Sequence, residues 1–79
     1  MPETITAAEI AQHYSAAGDS VTVINELVAL SERDDEQVDT VRRNVGHLEI
    51  MVAKDYWTTE DLAPFNAAIT AGTAVLPTE

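Results

Sequence analysis

Residues 37–57 decide the fold, and they read QVDTVRRNVGHLEIMVAKDYW. At about 100° per residue around a helix, the valines, one leucine and one tyrosine of this stretch fall on a single stripe. The stripe consists of Val38, Val41, Val45, Leu48, Val52 and Tyr56. This periodicity predicts one long helix, over about 35–57, that packs against a core along the stripe.

A second apolar stripe lies about 130° away around the same helix. It contains Gly46, Ile50, Ala53 and Trp57. A short chain covers one side of its central helix with its own residues, so the second side needs either another local helix or another copy of the protein. We therefore predict that the chain forms a homo-oligomer through these four residues.

Three shorter helices are predicted around the central one. Thr6 and Glu9 have the spacing of a capping box, and Ile5 with Ile10 has that of a hydrophobic staple, so a helix is expected over about 7–17, with Gly18 as its end. A second helix is expected over about 21–31, followed by the polar loop 31–36. Asp34 or Asp35 is the expected N-cap of the central helix.

The last helix is predicted over about 61–71, with Gly72 as its end and 73–79 as a tail. Thr58 and Asp61 form another box-like cap, and Trp57 with Leu62 is placed as a second staple. Pro64 leaves two alternatives, because proline is tolerated only in a first turn. Either the helix starts near Asp61, or residues 58–61 form a separate short turn before it.

The fold class is therefore an all-α bundle of about four helices with a central helical hairpin, in a single domain over 1–79. Its 79 residues are close to the size at which one core supplies only a few kcal/mol of net stability. Besides the central stripe, the predicted core residues are Ile10, Tyr14, Ala17, Ile24, Leu27, Val28, Leu30, Leu62, Phe65, Ala68 and Ile69.

Catalytic and metal-binding patterns are missing from the sequence. It has no cysteine, no nucleophile elbow and no phosphate-binding loop. His13 and His47 lack the spaced ligand sets of zinc sites. The acid pairs Asp34/Asp35 and Glu60/Asp61 stand at predicted helix starts, where capping explains them. We expect no enzyme activity, no cofactor and no metal.

The chain is strongly acidic, with a formal net charge of −10. This charge argues against direct binding of nucleic acids or anionic membranes. One alternative is an acidic DNA mimic, whose carboxylates would stand for phosphates. The sequence has neither a signal-peptide pattern nor an apolar run of membrane-spanning length, so a location outside membranes and without secretion is expected.

The basic residues concentrate on the central helix. Arg43, His47 and Lys54 lie within about 40° of one another by the same angular step, with Arg42 adjacent. One interpretation is a site for an anion such as a nucleotide phosphate, with Tyr14 and Tyr56 as stacking surfaces for a base. The alternative is that these basic residues form ordinary surface ion pairs with Asp39, Glu49, Asp55 or the acidic loop.

The C-terminal half resembles small proteins of unknown function encoded by tailed bacteriophages. The resemblance is carried by RNVGHLEIMVAK at 43–54, DYW at 55–57, DLAPF at 61–65 and AAITAG at 67–72. A weaker likeness, in the Leu-Glu that precedes apolar and aromatic residues, is to the helical-hairpin sponges with which phages sequester cyclic-nucleotide immune signals. Such sponges are homo-oligomers that bind ligands between subunits.

These features give three functional hypotheses. The first is a non-enzymatic phage accessory protein that acts through self-association and protein contacts, as a virion component or a host-interacting factor, in the host cytoplasm or the virion. The second is a sponge that binds an anionic nucleotide at a subunit junction. The third is the DNA mimic.

Overall fold

The computed structural model describes residues 6–77, which form three helices packed pairwise against one another. These are α1 (Ala7–Val28), α2 (Asp35–Val52) and α3 (Thr59–Val75). The bundle measures 42 × 23 × 20 Å. The all-α class is confirmed. The predicted number of four helices is wrong, because the first two predicted helices form the single helix α1.

Helix α1 runs without interruption through Gly18, where the sequence predicted its end. Among residues 6–77 no glycine has a positive φ, so Gly18 does not adopt the left-handed conformation of a helix stop. Ala17, Ser20 and Ile24 are buried on one face of α1. Their spacing of three and four residues continues across Gly18, so burial against the other helices outweighs the local stop signal.

The three helix starts follow local capping chemistry, as predicted. The side chains of Thr6, Asp34 and Thr58 accept hydrogen bonds from the backbone N–H three residues on, at 3.1, 2.8 and 3.0 Å. The caps at Asp34 and Thr58 are full capping boxes. The predicted staple of Ile5 with Ile10 lies outside the described residues.

Helix α3 differs from its prediction at both ends. It begins at Thr59 and contains Pro64, so neither alternative for its start is correct. It continues through Gly72 to Val75, which shortens the predicted tail. Gly72 is buried, and a Cβ added to it would lie 2.6 Å from Cγ2 of Val45. Gly72 therefore serves close packing of α3 against its neighbours and does not end the helix.

Helix α2 ends at Val52, five residues before the predicted end at 57. The chain then turns back so that the indole Nε1 of Trp57 donates a hydrogen bond to the carbonyl oxygen of Met51, at 2.8 Å. That carbonyl belongs to the last turn of α2, where the helix itself offers no donor. This hydrogen bond joins the buried Trp57 to the end of α2.

The core lies between the three helices. The central stripe is confirmed where it is deepest, since Val41, Val45 and Leu48 are buried. Tyr14 and Leu30 were predicted to face inward but are 47% and 41% exposed. The buried apolar side chains are Ala17, Ile24, Val41, Val45, Leu48, Met51, Trp57, Phe65 and Ala68.

Arg33, in the loop after α1, folds back onto the end of that helix. Its Nη1 donates to the carbonyl oxygens of Leu27 and Leu30 at 2.9 and 2.8 Å, and to that of Val28 at 3.4 Å. These groups carry the partial negative charge of a helix C-terminus. One guanidinium thus donates to three carbonyls, and that of Leu27 also accepts the backbone N–H of Leu30 at 3.2 Å.

We expect Arg33→Ala to lower the free energy of unfolding by about 1–2 kcal/mol, because the charged cap of α1 is lost. Urea unfolding followed by circular dichroism measures the change. Arg42→Ala, compared at a dilution at which the chain is a monomer, is the matched control. In the monomer this arginine is exposed and forms only a surface ion pair, so the expected loss is below about 0.5 kcal/mol. Equal losses in the two variants would contradict a capping role for Arg33.

Candidate interaction surface on the second helix

Helix α2 has a buried face and an outward face. The outward residues lie within about 120° of the helix circumference by the 100° step. All are exposed except Gly46, which is half-buried. We call this surface the outer face of α2, and it consists of Asp39, Arg42, Arg43, Gly46, Glu49, Ile50 and Ala53.

The centre of the outer face is apolar and open. Ile50 is 66% exposed, more than Tyr14 or Leu30, the other large apolar side chains exposed between residues 6 and 77. A Cβ added at Gly46 would meet no atom within 4 Å, so the glycine leaves free space beside Ile50. Three of the four residues predicted for self-association, Gly46, Ile50 and Ala53, therefore lie together on an uncovered strip.

Trp57, the fourth predicted self-association residue, lies elsewhere. It is only 8% exposed, and its ring is centred 4.7 Å from that of Tyr56 and 5.4 Å from that of Phe65. The prediction extended the helical step to position 57, but α2 ends at Val52 and the chain turns inward. Trp57 belongs to the core of its own chain.

The two arginines predicted for anion binding converge on one carboxylate. Arg43 Nε lies 3.2 Å from Asp39 Oδ2, and Arg42 Nη1 lies 3.7 Å from Asp39 Oδ1. Both guanidinium groups remain substantially exposed, so these are surface ion pairs of small energetic value. The arrangement matches the interpretation of the basic residues as members of ordinary ion pairs.

Both histidines join α1 to later parts of the chain. His47 Nδ1 lies 2.8 Å from the hydroxyl oxygen of Ser20, which is buried on α1. His13 Nδ1 lies 2.6 Å from the hydroxyl oxygen of Tyr56. The side chains of His47 and Tyr56, predicted for an anion site, thus form hydrogen bonds that hold the fold. The two residues of the His47–Ser20 pair are 27 positions apart in the sequence, and those of the His13–Tyr56 pair are 43 apart. No local sequence pattern reveals contacts over such separations.

Tyr14 contributes to an aromatic cluster on the core side of α1. Its ring is centred 5.7 Å from Phe65 and 6.2 Å from Trp57. Lys54 is exposed in the turn after α2. Of the residues predicted for an anion site, Arg42 and Arg43 meet at Asp39, His47 meets Ser20, and Tyr14 meets Phe65. A surface depression of about 600 Å³ lies at the α1–α2 loop, lined by Glu32, Arg33, Asp34 and Gln37.

Residues 6–77 contain neither a metal-binding cluster nor a membrane-spanning helix. No three His, Asp or Glu side chains in that range come together in a way that could hold a metal ion. None of its three helices combines the length and the apolar character that crossing a membrane requires.

Comparisons of the chain with protein-family models, with curated proteins and with solved structures found no match. Function is therefore inferred from the residues and their geometry. The described chain is a small three-helix bundle with one uncovered apolar strip, on the outer face of α2.

Proposed function

We propose that this protein acts without catalysis, through self-association and contacts with other proteins made by the outer face of α2. The observation that carries the proposal is Ile50, a large apolar side chain that is 66% exposed beside the open space at Gly46. Full burial of an isoleucine side chain contributes about 1.5–3 kcal/mol. The monomer leaves most of that stabilisation unused, and a protein partner on this face would supply it.

The two histidines and two of the acidic side chains at helix starts form hydrogen bonds within the fold. His13 and His47 form hydrogen bonds to Tyr56 and Ser20. The carboxylates of Asp34 and Asp61 accept hydrogen bonds from the backbone at helix starts. These roles support a protein that works by contact.

The resemblance of residues 43–72 to small phage proteins extends the proposal to a phage-encoded accessory protein, either a virion component or a host-interacting factor. A nucleotide sponge remains the alternative hypothesis. It would require Arg43 and His47 to exchange Asp39 and Ser20 for a ligand.

We expect the apparent mass of the wild-type protein to rise above the monomer mass of 8.5 kDa as its concentration increases. The Ile50→Glu variant should remain a monomer. A carboxylate at position 50 would have to lose water on association without gaining a partner. Sedimentation velocity over a concentration series measures both, with circular dichroism to confirm equal helix content.

Leu30→Glu is the matched control, because it introduces the same charge at an exposed apolar residue away from the outer face of α2. It should associate as the wild type does. A wild-type protein of monomer mass at every concentration would refute the proposal, as would an equal effect of the two substitutions.

A further inference from the structure

The segment 39–54 differs in charge from the rest of the chain. It carries Arg42, Arg43 and Lys54 against Asp39 and Glu49, whereas twelve of the fourteen acidic residues lie elsewhere, with Arg33 as the only other lysine or arginine. Two copies of a protein with a net charge of −10 repel each other. That repulsion is weakest where the basic residues lie, so the outer face of α2 is where a second copy can approach.

The order of charges along the outer face of α2 is complementary to its own reverse. Arg42 stands four residues before Gly46, and Glu49 stands three residues after it. Asp39 stands seven residues before Gly46, and Lys54, which lies in the turn just after α2 and outside the outer face, stands eight residues after it. If two α2 helices cross antiparallel at Gly46, each basic residue of these pairs meets an acidic residue of the other chain. In a parallel pair crossing at Gly46, each of these residues would instead face the same residue of the other chain, so that like charges would meet.

Gly46 suits the point of closest approach. A glycine within a helix costs about 1 kcal/mol relative to alanine. Gly72 also lies within a helix, but there the packing of Val45 and Ile24 leaves no room for a Cβ. At Gly46 the neighbouring space is empty, so nothing within the monomer requires a glycine. A second backbone crossing there would use that space.

Ile50 completes this contact. It lies one turn after Gly46 on the same face and is 66% exposed. In an antiparallel crossing at Gly46, its side chain lies close to the partner's Gly46 and to the aliphatic stem of the partner's Arg43. The apolar centre would thus be covered from both sides, with the charged pairs around it.

We propose that the occupant of the outer face of α2 is a second copy of this chain, in a twofold dimer whose α2 helices cross antiparallel at Gly46. Arg42 pairs with Glu49 of the partner subunit, and Asp39 pairs with Lys54 of the partner subunit, each twice by symmetry. This inference rests on the proposed function and specifies its partner. One helix pair buries less than the roughly 1,600 Å² of a standard stable interface, so we expect a dissociation constant in the micromolar range or weaker.

Two charge reversals test the arrangement. Arg42→Glu sets a carboxylate against Glu49 of the partner subunit, and Glu49→Arg sets a guanidinium against Arg42 of the partner subunit. We expect each variant alone to dimerise at least about tenfold more weakly than the wild type. An equimolar mixture of the two should recover wild-type affinity, because both contacts between the different chains then join opposite charges. Sedimentation velocity at about 0.1 M salt, where the Debye length is about 10 Å, measures all three samples.

Matched controls separate specific pairing from net charge. Glu26→Arg changes the net charge as Glu49→Arg does, and the double substitution Gln12→Glu/Asn66→Glu changes it as Arg42→Glu does. Glu26, Gln12 and Asn66 are exposed residues of α1 and α3. Both controls should dimerise within about threefold of the wild type, because exposed charges far from the contact are screened.

Each outcome decides the dimer arrangement. Recovery in the mixture supports the antiparallel pairing of Arg42 with Glu49. If the wild type dimerises but the mixture does not recover, the arrangement is wrong while self-association stands. Preferential association of Arg42→Glu with the wild type would indicate parallel helices and overturn the arrangement. A monomeric wild type overturns both the arrangement and the proposed function.

Discussion

Replacing Gly72 by alanine is expected to lower the free energy of unfolding by about 1–3 kcal/mol, although alanine is the better helix former. The added Cβ would lie 2.6 Å from Cγ2 of Val45, 3.1 Å from Cγ2 of Ile24 and 3.3 Å from Cγ1 of Val41. All three neighbours are buried and β-branched, so their side chains have few alternative rotamers. The methyl group can be accommodated only if Val45 shifts or α3 moves away from α1 and α2.

The matched control is Gly18→Ala, which makes the same change in α1 where a Cβ meets no atom within 4 Å. Here only the helix propensity acts, and the free energy of unfolding should rise by about 0.5–1 kcal/mol. In a domain of this size, 1 kcal/mol moves the melting temperature by about 4–8 °C. Thermal melts of the two variants should shift in opposite directions. If both melted above the wild type, the close packing at Gly72 would be refuted.

Trp57→Ala is expected to cost about 3–5 kcal/mol, which is enough to unfold most of a chain of this size. The substitution empties a site between Tyr56 and Phe65. It also removes the indole donor to the carbonyl oxygen of Met51, which then keeps only the backbone N–H of Lys54, at 3.1 Å. The loss of helical signal in circular dichroism measures the effect.

Trp57→Phe keeps an aromatic ring in the core but removes the indole N–H. We expect it to stay folded, with a free energy of unfolding lower by about 1–2 kcal/mol. One outcome for Trp57→Ala would contradict this account. A Trp57→Ala variant that kept wild-type stability but no longer self-associated would place Trp57 in an interface between copies, against its position in the core.

The parts of the fold that could be predicted from the sequence depend on local chemistry. The caps at Thr6, Asp34 and Thr58 were identified because each bonds with the residue three positions on. The buried stripe through Val41 and Val45 was identified because its helical period lies within one element. These patterns can be recognised within one segment of sequence, because they do not depend on which helices pack against it.

Glycines and chain reversals could not be predicted in the same way. Gly18 and Gly72 were both expected to end helices, yet both are helical, one with open space around it and the other tightly packed. Their difference depends on which helices lie opposite. The early end of α2 is likewise accompanied by a hydrogen bond from Trp57 to Met51, residues six positions apart that the helical period does not bring together.

Part of the outer face of α2 was predicted from the sequence, because three of its residues lie within one helix. Gly46, Ile50 and Ala53 follow one helical period, and the structure places all three on the outer face of α2. Trp57 was added by extending that period beyond the true end of the helix. The sequence grouped the basic residues on one face of a helix, whereas in the structure Arg42 and Arg43 are partnered by Asp39, and His47 by Ser20.

Amide NMR spectra of the ¹⁵N-labelled protein, recorded while it is diluted from millimolar to micromolar concentration, test most directly whether the outer face of α2 is the contact surface. We expect the peaks of Gly46, Ile50 and Ala53, with those of the charged residues around them, to shift progressively, because dilution uncovers that face. The peaks of exposed residues in α3, such as Ala67 and Thr70, should stay in place. Shifts confined to α1 or α3, or spectra that do not change with concentration, would contradict the account.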